Sequence, residues 1–102
     1  PAQNAPIAKP FTWPSPFNPA NGEAQIGFFL DEAADVVLKI YTLQGRLVSS
    51  RSRSFGAGHQ ILPWNGRAAS GTRVTQGGYL AVIEKRYGAR VSTQKLKIAV
   101  LY

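Results

Sequence analysis

Residues 13–30 read WPSPFNPANGEAQIGFFL, and the stretch divides at Gly22. Pro14, Pro16 and Pro19 crowd its start. Proline fixes φ and carries no N–H, so this half cannot enter the middle of a sheet; it should run extended along an edge or reach away from the body. NPANG at 18–22 is a strong turn signal. From there the side chains alternate, with Ala24, Ile26, Phe28 and Leu30 on one side and Gln25, Gly27 and Phe29 on the other. That period of two marks a half-buried strand. A stiff leader feeding a two-faced strand directs the reading toward sheets.

Working outward, the same pattern recurs. VVLKIYT at 36–42 is β-branched and aromatic, with Val36, Leu38 and Ile40 on one face. Gly45 makes a tight turn before RLVSSRSRS at 46–54. A glycine-rich bend leads to QILPW at 60–64, and a loop punctuated by Asn65-Gly66, Ser70-Gly71 and Gly77-Gly78 follows. YLAVIEKRY sets Tyr79, Ala81, Ile83 and Lys85 opposite Leu80, Val82 and Glu84. Arg90 to Tyr102 closes as a long strand in which Leu96, Ile98 and Val100 share a face with Gln94, while Lys95 and Lys97 point the other way. No stretch carries helical periodicity over more than a few residues. The chain is therefore all-β: an antiparallel β-sandwich of about seven strands with an extended proline-rich N-terminal segment. Residues 1–22 form an arm or linker and residues 23–102 the sandwich domain.

The 102 residues suffice for one core, and 44% hydrophobic against 17% charged composition is that of a globular domain. No apolar run approaches the roughly 20 residues that cross a bilayer as a helix. The chain opens on Pro1 without a signal-peptide pattern, so it reads as a processed or excised product. With no Cys, disulfides, thiolate catalysis and Cys-based zinc sites are excluded. The net charge is +7 and uneven. Residues 1–44 hold two cations against four acids, whereas residues 45–102 hold ten Lys or Arg against Glu84 alone.

These segments together resemble one family. PSPFNPANGEAQIGFFL followed by VVLKIYTLQGRLV is similar to the opening of FlgD-like Ig-like domains and of the C-terminal sorting domains of type IX-secreted bacterial proteins. Their pattern is Asn-Pro-Phe-Asn-Pro, an alternating strand, Leu-x-Ile-Tyr and a glycine turn. WNGRAASGTRVTQGGYL resembles the family's Trp-Asp/Asn-Gly…Gly-x-Tyr segment, and STQKLKIAVLY its closing Lys-rich strand. The resemblance spans Pro14 to Tyr102. Ser15 replaces the usual Asn, and Gly78 replaces the aliphatic residue that usually precedes the tyrosine. What it implies is a seven-stranded sandwich without catalysis, read by an outer-membrane export machine in the sorting branch or built into an assembly scaffold in the hook-capping branch.

The residues themselves offer little chemistry. His59 is the single histidine and lies in a glycine-rich bend, so no Ser-His-Asp set can be assembled around it. Asp31, Glu32 and Asp35 cluster in a hairpin loop that lacks EF-hand spacing; a solvated loop is the simpler reading and weak Ca²⁺ binding the sharper one. The pieces GAG and QGG have no following Lys-Ser/Thr and open no helix, so they are bends rather than phosphate cradles. Trp64 ends a strand in or near the core. No catalytic residue, metal or cofactor is assigned.

Two surfaces remain. The leader carries Ile7, Phe11 and Trp13, apolar anchors suited to docking on a neighbour by strand addition. The second half carries Arg46, Arg51, Arg53, Arg67, Arg73, Lys85, Arg86, Arg90, Lys95 and Lys97, a candidate basic surface. The expected function is a non-catalytic, secreted or bacterial cell-surface module for sorting or structural assembly, with protein subunits or export machinery as partners and a homo-oligomer through the arm as a further outcome. The alternative is a binding module for an acidic ligand, polysaccharide or nucleic acid, through the basic half.

Overall fold

Alternation along a strand forms two layers only if the apolar sides of two sheets meet. In the computed structural model, which describes residues 9–102, they do. The elements run β1 (Phe11–Trp13), a single 3₁₀ turn (Pro19–Asn21), β2 (Ala24–Leu30), β3 (Ala34–Thr42), β4 (Leu47–Phe55), β5 (Gly58–Trp64), β6 (Gly77–Tyr87) and β7 (Arg90–Val100). One sheet has the order β1-β2-β5 and the other β4-β3-β6-β7, and every pairing between these strands is antiparallel.

The inward faces are those the period of two selects. Ala24, Ile26, Phe28 and Leu30 from β2, Val36, Leu38 and Ile40 from β3, and Tyr79, Ala81 and Ile83 from β6 are all buried, with Leu62, Ile98 and Val100 beside them. Trp64 occupies one end of this core. Its ring meets Phe17 at 5.8 Å and Tyr79 at 5.9 Å between centroids. Its indole N–H, which needs a partner once buried, donates to the carbonyl of Arg67 at 3.1 Å. The chain turns at Asn65-Gly66, where Gly66 has φ +75° and lies against Pro19 and Phe17, so a β-carbon there would collide with the Pro19 ring.

The leader is held by the sandwich from residue 11 onward. β1 pairs with β2 through Phe11↔Gly27, Thr12↔Ile26 and Trp13↔Gln25. That is the edge position open to a proline-flanked strand. The Trp13–Pro14 and Ser15–Pro16 peptide bonds are cis. Phe17 then enters the core at 1% exposure. Its N–H donates to the Ala99 carbonyl at 2.8 Å, and its carbonyl accepts from Leu101 N–H at 2.9 Å. Asn18 caps the 3₁₀ turn, its side chain accepting from Ala20 N–H at 2.9 Å. So the stretch read as arm or linker supplies an edge strand and a core ring. Of its three anchors, Ile7 lies outside the described residues.

Phe17→Ala should lower unfolding free energy by about 3–5 kcal/mol, the cost of deleting a buried aromatic ring. Trp13→Ala, on the exposed side of β1, should change it by no more than about 0.5 kcal/mol. Urea unfolding followed by circular dichroism measures both.

Candidate interaction surface

The side of the three-stranded sheet that faces away from the core is built from the other half of each alternation. Register aligns it in rows. Trp13, Gln25 and Pro63 lie side by side, then Phe11, Gly27 and Ile61, then Phe29 and His59. None of these side chains is an Asp, Glu, Lys or Arg. Trp13 is 68% exposed, Phe11 50% and Ile61 49%, which is high for three large apolar side chains on one small face. Scattered exposed hydrophobics are ordinary; a contiguous set is the signature of a contact surface. Gly27 is the floor of this face. The Phe11 ring rests on it, and any β-carbon at residue 27 would overlap that ring. The Phe29 and His59 rings meet at 5.1 Å between centroids, tilted by 59°. His59 is thus an exposed member of an aromatic row.

The opposite sheet has a different outer face. Lys39, Arg86, Lys95 and Lys97 lie there with Asp35 and Glu84 among them. Glu84 pairs with Arg86 at 3.2 Å and with Lys39 at 3.9 Å.

The ten basic residues of the second half do not form one patch. Arg46 lies in the β3–β4 turn and Arg51 and Arg53 on β4. Arg67 and Arg73 bridge each other across the β5–β6 loop, with Arg67 Nη1 donating to the Gly71 carbonyl at 2.8 Å. Arg90, in the β6–β7 hairpin, reaches Glu32 at 3.3 Å and Asp31 at 3.7 Å and stacks on the Tyr87 ring at 4.2 Å. Asp31 and Glu32 are therefore joined to a cation, while Asp35 lies on β3 and accepts from Ser54 Oγ at 2.6 Å. Among the described residues no three His, Asp or Glu side chains converge on a metal-sized site.

Lys85 leaves the basic surface altogether. It is 5% exposed, and its Nζ donates to the Phe29 carbonyl at 2.7 Å, tying β6 to β2 across the sandwich. The reason is its phase: Lys85 continues the Tyr79, Ala81, Ile83 series, and the period of two places it inward. Burial pulls its pKa below the ordinary lysine value, and the charge of Asp31 offsets part of that.

Solved structures with this arrangement can now be named. Over 96% of its length the chain superposes on part of dimeric latent PorU from Porphyromonas gingivalis, with TM-score 0.76 and 21% identity. The fold is the FlgD-like, Ig-like sandwich. FlgD from P. aeruginosa matches over 72% of the chain with TM-score 0.65 and 17% identity. PorZ, a surface component of the type IX secretion system of P. gingivalis, matches over 91% with TM-score 0.61 and 21% identity. The chain spans 10% of the PorU chain, 59% of FlgD and 11% of PorZ. No protein-family model and no curated protein matches the sequence.

Sequence reasoning singled out Phe11 and Trp13 but not the surface they join. Ile61, Pro63 and His59 were available from the inward placement of Leu62 and Trp64, which turns their neighbours outward.

The buried amine gives a pH signature. Because Lys85 releases its proton more readily when folded, the unfolded chain binds more protons just below the ordinary lysine value. Stability should therefore rise as pH climbs toward the ordinary lysine value of about 10.4, and that rise should be absent in Lys85→Met. Tyr87, pushed up first by burial and then by Asp31, acts oppositely, its contribution being lost as pH climbs past about 10. Urea midpoints at a series of pH values for both proteins check the sign.

Proposed function

We propose that this domain is a non-catalytic sorting or assembly module of a secreted or cell-surface bacterial protein, and that it docks a protein partner through the outer face of its three-stranded sheet. The observation that carries the reading is the uncharged apolar face formed by Trp13, Phe11 and Ile61 on a chain of net charge +7. Exposed aromatics on a rigid sheet lose little entropy on contact and are the residues that most often dominate binding energy. The fold shared with PorU, FlgD and PorZ supports a role in secretion or assembly. Residues before Phe11, Ile7 among them, would extend this contact. Among the described residues no helix is long and apolar enough to cross a membrane.

The test is export of a reporter carrying this domain at its C-terminus, in a bacterium with a type IX system. The fused reporter should reach the surface, and Phe11→Ser combined with Trp13→Ser should leave it inside. Both side chains are half or more exposed, so the variant keeps its fold, which circular dichroism verifies. Surface display of the double variant at the level of the unaltered domain would defeat the reading. Light scattering of the purified domain separates a second possibility: if the face joins copies of this chain, the mass exceeds one chain and the double variant returns it to one.

A further inference from the structure

The two sheets differ in width, and the difference exposes one strand on both sides. Residues Ser50, Arg51, Ser52, Arg53 and Ser54 of β4 are all exposed although they lie in a strand. β4 is one of the two outer strands of the four-stranded sheet and pairs only with β3. Which of its backbone groups are free follows from the ladder. Thr42 N–H donates to the Arg46 carbonyl at 2.9 Å, so the even-numbered residues of β3 direct their backbone groups at β4. Their partners Ser49, Arg51 and Arg53 are hydrogen-bonded to β3, because opposed residues in an antiparallel pair exchange both bonds. Ser50, Ser52 and Ser54 then turn their N–H and C=O groups outward. The Val48 carbonyl, at the point where the β3–β4 register shifts, accepts from Ala69 N–H at 2.9 Å. That loop covers the edge at Val48, and the three serines beyond it are open.

The side chains along this edge sort by sign. Arg51 and Arg53, opposite Leu38 and Val36, project on the core side, past the border of the narrower sheet. Arg51 Nη1 donates to the Pro63 carbonyl at 3.0 Å, and the Arg53 guanidinium lies 5.8 Å from the Phe55 ring centroid. Among the described residues neither has a carboxylate within ion-pair distance, unlike Lys39, Arg86 and Arg90. On the outer side are the Ser50, Ser52 and Ser54 hydroxyls, with Asp35 bonded to Ser54.

We propose that the edge of β4 from Ser50 to Ser54 takes an extended acidic segment of another protein as an additional strand. Backbone pairing with Ser50, Ser52 and Ser54 supplies the affinity, as in other strand additions. Alternate side chains of an added strand repeat every ~6.6 Å on one side, so every second residue faces the arginines and should be Asp or Glu. The intervening residues face the serines and Asp35 and should be uncharged. A second copy of this chain is the wrong occupant, because its own β4 would bring Arg51 and Arg53 against the same residues, and like charges pointing inward on an edge oppose such pairing.

The probe is a blocked, fluorescent heptapeptide alternating Thr and Glu, titrated into the full chain at low salt. It should bind, with amide shifts concentrated at Ser50, Ser52 and Ser54 in an NMR titration. A peptide of the same composition with the glutamates in one block should bind at least about tenfold more weakly. Ser52→Pro removes an N–H that makes no bond to β3, a substitution edge strands tolerate, and it should abolish binding. Arg51→Glu with Arg53→Glu should transfer preference to a Thr-Lys peptide, which keeps the test decisive if the proline variant fails to fold. Equal binding of the block-ordered peptide, or binding by a folded Ser52→Pro protein, would mean ionic attraction without an added strand and would overturn the proposal. So would a doubled mass without peptide that Ser52→Pro returns to one chain, since a second copy would then own the edge.

Discussion

Trp64 between Phe17 and Tyr79 is the contact on which the remainder depends. The three rings come from three places: the proline-rich leader, the last residue of β5 and the start of β6. Their packing joins the narrow sheet, the wide sheet and the leader at one end of the core. Because Trp64 also requires a partner for its N–H, it fixes the carbonyl of Arg67 and with it the course of the β5–β6 loop. Gly66 leaves the space that Pro19 and Phe17 fill. Once Phe17 is fixed, the residues just before it are brought alongside β2, and the apolar outer face exists only because β1 is held there.

The other end of the sandwich is closed by polar groups. Lys85 crosses from one sheet to the other to reach the Phe29 carbonyl. Next to it Arg90 gathers Asp31, Glu32 and the Tyr87 ring. A buried amine is costly unless bonded, so this end trades apolar packing for a fixed tie.

Much of this was legible in the chain. The alternation in residues 24–30 and 79–85 sorted the side chains into the two faces that the sandwich uses, and Trp-Asn-Gly located the core tryptophan and its turn. Lys85 shows where two signals conflicted: charge assigned it to the surface, but its phase assigned it to the core, and phase was the physical constraint. The basic residues could not be mapped from composition, because whether Arg51 lies near Arg90 is decided by strand order, which is non-local. The aromatic face was half visible. Phe11 and Trp13 were recognisable as apolar anchors, yet the surface they complete requires the register Phe11↔Gly27↔Ile61, a pairing of residues far apart in sequence. The open edge of β4 likewise depends on one sheet being a strand wider than the other.

The contact between Phe17 and β7 has a mechanical consequence. Phe17 and Val100 are bridged in parallel, whereas the main strands are antiparallel. Tension that pulls the leader one way and the end of β7 the other slides these two segments along each other. The bonds to Ala99 and Leu101 are then loaded together, with the Phe17 ring still seated beneath them, instead of being peeled open one at a time. A domain tethered through both of these segments would yield by shear at this point, and its resistance to force would be set by a bridge far smaller than any of its sheets.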